Sequence, residues 1–281
     1  MHNILSVDLE EWYHPEYVRG KALGNKQERI TNSLDKTLDL LEEHDVDVTF
    51  FVVGELLEKH PEIVEKIKEK GHEIAFHGYS HEPLGKLDAE TFRSDTKMFS
   101  SLLKEKCLGF RAPSFSLNNE TKWALKVLEE AGYKYDSSVF PAKTSLYGLS
   151  NAPTRPYKVS CESVVKEDKN AVLWEFPLLV CSFAGVRVPV AGGFYLRFFP
   201  VGIIKRAVKK ANKQGFPAVL FVHNWELDPE MPKLKLGLYR SFVTYHNIEK
   251  TGKKLNSLLS DLEFTSVRNF MEEKDLTQGS N

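Results

Sequence analysis

Short runs of β-branched and aromatic residues alternate along the chain with segments whose apolar positions recur every three or four residues. The candidate strands are Asn3–Asp8, Val46–Val53, His72–His77, Leu108–Ala112, Tyr133–Val139, Val172–Val180 and Pro217–His223. Between them Ile30, Leu34, Leu38 and Leu41 share one helix face, as do Ile63 and Ile67 in the next helix. Pro61 suits a first helical position and Gly71 a helix stop. Asn118 is a candidate cap for a helix carrying Trp123, Val127 and Leu128 that stops at Gly132; Ile203, Ile204, Ala207 and Ala211 mark another that stops at Gly215. A strand follows each stop, the order of βα units and a parallel sheet. Seven strands in one series favour a closed barrel over an open doubly wound sheet. Pro141, Pro153 and Pro156 mark residues 140–170 as a long loop region. Residues 273–281 are expected to form a flexible tail.

Composition narrows the class without choosing the chemistry. The chain has 281 residues, 42% hydrophobic and 27% charged, the balance of a globular enzyme that fits one domain. Its net charge of −1 supplies no cationic excess to displace counterions from phosphates, so bulk nucleic-acid binding is excluded. Cys107, Cys161 and Cys181 share no CxxC spacing and point to reduced, packed thiols. No run reaches the ~18 apolar residues of a membrane-spanning helix, and the N-terminus lacks a basic leader region, so a cytoplasmic location is expected.

In parallel α/β folds ligands sit at the carboxyl ends of strands, which makes the polar residues there the first candidates. The first strand ends in Asp8-Leu9-Glu10-Glu11, where Asp8 and Glu10 share a face and Glu11 points away. Two carboxylates so placed need a cation or proton between them; a solvated acidic loop is the plainer alternative. The third strand runs into His77-Gly78-Tyr79-Ser80-His81, whose imidazoles converge on one ion if that turn is helical. Together the two motifs are explained most simply by a two-His, one-carboxylate metal site with open positions. The last strand delivers His223, placed for a general acid or for a backbone-bonded core role. Arg111 and Asp136 end neighbouring strands, either as plain charges or as a pair that orients a catalytic carboxylate.

Taken in order, these segments resemble the polysaccharide deacetylase (NodB-homology) family across about residues 3 to 226. The carrying motifs are Asp8-Leu9-Glu10-Glu11, Thr49-Phe50-Phe51-Val52-Val53-Gly54, His77-xxx-His81, Phe110-Arg111-Ala112-Pro113 and His223. Gly192-Gly193-Phe194-Tyr195-Leu196-Arg197 and His223-Asn224-Trp225-Glu226-Leu227-Asp228-Pro229 are similar to the branch associated with exopolysaccharide biosynthesis, as is the stretch beyond, through Tyr239-Arg240 and Tyr245. The resemblance implies a distorted (β/α) barrel of about seven parallel strands with a C-terminal helical extension over about 227–272, in one domain spanning 1–272. It also implies a metal-dependent carbohydrate N-deacetylase whose divalent ion, Zn²⁺ or similar, is held by His77, His81 and a motif carboxylate.

By residue order Asp8 is the base and Glu10 the ligand, but the spacing leaves the reverse open and Glu11 a third candidate. His223 would protonate the leaving amine, with Arg111 and Asp136 holding the charged groups. Tyr13, Phe194, Tyr195 and Trp225 would form an aromatic rim for sugar rings, or serve as ordinary packing. Ser114 replaces the aromatic residue often found after the RxP motif. The expected substrate is an N-acetylhexosamine glycan, or a lipid- or nucleotide-linked precursor, of surface-polysaccharide assembly. A cyclic amide or imide hydrolase and a catalytically silent glycan-binding protein are the alternatives; acetate release separates both from the deacetylase.

Overall fold

The computed structural model describes residues 1–21 and 27–276. Its strands are β1 (Asn3–Leu9), β2 (Thr49–Val52), β3 (Glu73–Phe76), β4 (Gly109–Phe110), β5 (Tyr135–Asp136), β6 (Tyr157–Ser160), β7 (Ser163–Glu167), β8 (Trp174–Glu175), β9 (Val180–Phe183), β10 (Val186–Pro189), β11 (Val219–His223) and β12 (Phe264–Thr265). The helices are α1 (Ile30–Glu42), α2 (Gly54–Lys59), α3 (Glu62–Glu69), α4 (Ala89–Leu103), α5 (Trp123–Glu130), α6 (Phe194–Phe198), α7 (Val201–Lys213), α8 (Leu238–Tyr245), α9 (Thr251–Asp261) and α10 (Val267–Glu273).

Seven parallel strands follow the order β11-β1-β2-β3-β4-β5-β8, and each lies in one of the seven runs expected from the sequence. Helices cover the outside of this curled sheet, so β1, β2 and β3 are buried at every position, which is why they read as apolar runs and not as alternating ones. The two sheet edges are joined without a regular ladder. Leu178 N–H donates to Val139 O, Leu179 N–H to Val219 O and Phe221 N–H to Ala191 O, which makes the barrel a distorted one.

Several expectations need correction. Residues 140–170 carry the antiparallel pair β6–β7, tied to β8 through β6. The run expected over 172–180 divides into β8 and β9 at Pro177, which has no N–H for a ladder. Asn118 does not cap α5; its side chain accepts from Glu120 and Thr121 N–H and closes the preceding turn. The C-terminal stretch is helical except for β12, which pairs with the start of β1. Of the expected tail, Glu273 ends α10 and Leu276 packs on the core, while 277–281 lie outside the described residues. The analysis of sequence did not identify α4, although Phe92, Phe99 and Leu103 share its buried face and Asp88 caps it by accepting from Thr91 N–H at 2.8 Å. Among the described residues, no helix is long and apolar enough to cross a membrane.

Candidate metal centre and catalytic cavity

Parallel register sets the carboxyl ends of β11, β1 and β2 side by side, with Asp8 opposite both His223 and Phe51. β3 and β4 add His77 and Arg111 just beyond their last residues. The turn after β3 is not the helix that the His77–His81 spacing suggested. Gly78 (φ +74°) and His81 (φ +55°) take the left-handed conformation, and the turn is pinned to α2 by Gly54 N–H donating to Gly78 O and Glu55 N–H to Tyr79 O. A Cβ on Gly78 would sit 2.7 Å from the Pro113 ring, so this close approach needs glycine.

The turn still brings the two imidazoles together, with ring centroids 5.0 Å apart. His77 Nδ1–H donates to Arg111 O at 2.8 Å, leaving Nε2 as the ring's lone-pair donor. Glu10 Oε2 lies 2.7 Å from His81 Nε2, yet it is buried and has no hydrogen-bond partner. One ligand atom each from Glu10, His77 and His81 falls within 4.8 Å of the others, a donor set that fits a divalent cation. Burial resists ionisation of Glu10, but the surrounding imidazoles, His81 foremost, hold its carboxyl well below the usual range. Burial lowers His77 to about 4, so that ring is neutral, the form in which imidazole ligates metal. Glu10 is oriented from behind: Trp225 Nε1–H donates to its Oε1 at 3.0 Å, and its backbone N–H donates to Asn224.

Asp8 belongs to a different partner. The fully buried Arg111 donates to Asp8 Oδ1 at 2.6 Å, to Ser6 Oγ and to both the carbonyl and the hydroxyl of Ser137, and lies 4.1 Å from the Phe51 ring centroid. Asp136 does not pair with Arg111 by hydrogen bond. It accepts from Ser138 Oγ at 2.5 Å, and that hydroxyl accepts from Ala112 N–H, so Asp136 braces the loop that follows Arg111. Glu11 also leaves the site: its carboxylate accepts from Arg29 and Ile30 N–H and stands at the start of α1.

His223 is held by a chain of charge. Its Nδ1–H donates to Glu226 Oε2 at 3.0 Å, and Glu226 Oε1 accepts from the buried Arg197 Nε–H at 2.6 Å. Burial opposes protonation of His223, but Glu226 outweighs it and raises the imidazolium to about 9. Trp225 stacks on the ring, 4.9 Å between centroids.

Asp8, Glu10, His77, His81 and His223 line one cavity of about 130 Å³. Of the expected rim, Phe194 and Trp225 line it, whereas Tyr13 is buried against Trp12 and His14, and Tyr195 faces a neighbouring cavity. Tyr17, Phe115, Tyr147 and Arg197 line it unannounced. Phe115 supplies an aromatic ring one residue beyond Ser114. Arg197 and Glu226 lie inside motifs already quoted, and a Glu three residues after a histidine at a strand end was the available signal.

Residues 25–135 match the polysaccharide deacetylase family model, and residues 137–272 match a domain of unknown function, DUF3473. A peptidoglycan-N-acetylglucosamine deacetylase of Bacillus cereus is 38% identical over 96 residues, 32% of this chain and 34% of the relative. A chitooligosaccharide deacetylase of Rhizobium leguminosarum bv. trifolii is 34% identical over 70 residues, 25% of this chain and 33% of the relative. The chain thus spans about a third of the length of these relatives. A crystal structure of a polysaccharide deacetylase candidate from Mycobacterium smegmatis superposes over 100% of this chain and 94% of its own, with a TM-score of 0.59 at 18% identity, and so shares the fold.

Proposed function

We propose that this chain, which belongs to the polysaccharide deacetylase family over residues 25–135, is a metal-dependent hydrolase that removes N-acetyl groups from an N-acetylhexosamine-containing glycan. The supporting observation is the convergence on one cavity of three ligand atoms, a carboxylate held by arginine and an imidazole held by Glu226. Glu10, His77 and His81 would hold Zn²⁺ or a similar divalent ion. Bound there, such an ion lowers the pKa of water from 15.7 to about 7 and polarises a carbonyl.

The chain's own residues do the rest. Asp8, fixed by Arg111, accepts the proton of the attacking water as the new C–O bond forms. His223, presented with its Nε2 away from Glu226, delivers a proton to the amide nitrogen as the C–N bond breaks, releasing acetate and an amine. Arg111 acts on Asp8, and Arg197 acts on His223 through Glu226; both are positioning residues, as is Asp136 through Ser138. The exopolysaccharide-type segments supply cavity residues Gly192, Gly193, Phe194, Arg197 and Trp225, which supports a substrate drawn from surface-polysaccharide biosynthesis.

The test is acetate release from N-acetylhexosamine oligomers by chelated and metal-restored enzyme, with metal content measured for His77→Ala and His81→Ala. Loss of metal and of turnover in both variants is expected. Full turnover after chelation, or unchanged metal content, would defeat the proposal.

A further inference from the structure

The catalytic cavity continues into a second one of about 320 Å³, and Tyr17, Leu146, Tyr147, Phe194 and Val243 line both. The second cavity adds Tyr195, Phe198, Tyr239 and Phe242, brought by α6 and α8, and the hydroxyl residues Thr144 and Ser145. Its outer rings are not core: Phe198 is 47%, Phe242 44% and Tyr239 59% exposed. They form a connected set, with Phe194 ring centroids 5.4 Å from Phe198 and 5.6 Å from Phe242, and Tyr17 6.0 Å from Tyr239. Exposed rings gathered around a concave surface mark a binding site, and open aromatic faces between hydroxyls match the C–H faces and hydroxyls of a pyranose.

Charge separates a neutral sugar from a phosphorylated carrier. Among the described residues that line the two cavities, Arg197 is the sole arginine and no lysine occurs. Arg197 is committed in full: Nε to Glu226, Nη1 to His246 O and Nη2 to Val243 O. Arg240 lies 5.8 Å from the Tyr17 ring centroid but lines neither cavity. A diphosphate placed here would meet no free cation, at considerable desolvation cost.

We infer that the aromatic cavity is a second sugar subsite for the neighbouring residue of the substrate chain, so that the substrate is a neutral oligosaccharide and not a monosaccharide, sugar nucleotide or lipid-diphosphate sugar. This inference rests on the deacetylase reading, which fixes where the acetylated sugar sits.

The experiment measures kcat/KM for acetate release from N-acetylglucosamine, its β-1,4-linked dimer to tetramer and UDP-N-acetylglucosamine. The wild type, Phe198→Ala and Tyr239→Ala are compared in their metal-loaded form. The oligomers should exceed both the monomer and the nucleotide. Each variant should lower the oligomer-to-monomer ratio by about three- to tenfold, the size of one aromatic contact, through KM and not kcat. An unchanged ratio in both variants, or a preference for the nucleotide, overturns the subsite. If no substrate releases acetate, the deacetylase reading fails separately, and calorimetric binding of the same oligomers decides the subsite: affinity weakened in the variants sustains it, and equal affinity or no binding refutes it.

Discussion

Glu175 and Asp136 face one another across β8 and β5, both fully buried just behind the catalytic cavity. Burial, and then the Asp136 carboxylate, pushes Glu175 well above the usual carboxylate range, and burial pushes Asp136 up as well. Val139 N–H donates to Glu175 Oε1, while Oε2 has no partner as a carboxylate oxygen; protonated, it becomes a donor facing Asp136. The native pair therefore keeps a proton at neutral pH that the unfolded chain releases above pH ~4.3. This contribution to stability is complete below that value and is lost as pH rises towards the raised native value, at about 1.4 kcal/mol per pH unit. Glu175→Gln replaces the protonated acid by an isostere that donates to Asp136 at any pH. Between pH 5 and 7 the wild type should lose about 2.7 kcal/mol relative to the variant, two pH units of one proton's linkage. Urea unfolding of both proteins at matched ionic strength measures this, because all other titrations cancel in the difference. Parallel stability curves across that range would refute the shared proton.

Glu226→Gln keeps an acceptor for Arg197 but removes the charge that favours the His223 imidazolium; kcat for acetate release is expected to fall about a hundredfold, the scale of general-acid catalysis, with metal content unchanged. Glu11→Ala removes the acceptor for Arg29 and Ile30 N–H and should cost about 1–2 kcal/mol in denaturant unfolding, and bound metal should stay at wild-type level, in contrast to His77→Ala. Gly78→Ala forces a Cβ against Pro113 at positive φ; a lower melting temperature and weaker metal binding are expected, since the His77–His81 turn must shift.

Local patterning reached far into this fold because its signals are local. A strand buried on both faces is apolar throughout, and helices such as α1 keep their buried residues three or four apart, so the βα series and the polar residues at its strand ends were legible. Where locality fails, so did the reading. The β6–β7 pair lies in a proline-interrupted stretch, and its partner β8 comes later in the chain. The rim failed for a similar reason, since an aromatic residue's exposure depends on elements that pack over it: Tyr13 was covered, while Tyr17 and Tyr147 were left at the cavity.

The amino-acid order alone determined which residue types stand at the barrel's carboxyl edge, and with them the kind of chemistry available. It did not determine how they divide the work. Asp8 and Glu10 are near-equivalent carboxylates on one strand face until other strands arrive. Arg111 after β4 then takes Asp8, the imidazoles after β3 take Glu10, and Glu11 is drawn to the start of α1. That partition is electrostatic and acts over a few ångströms between residues up to a hundred positions apart, so only the folded chain could decide it.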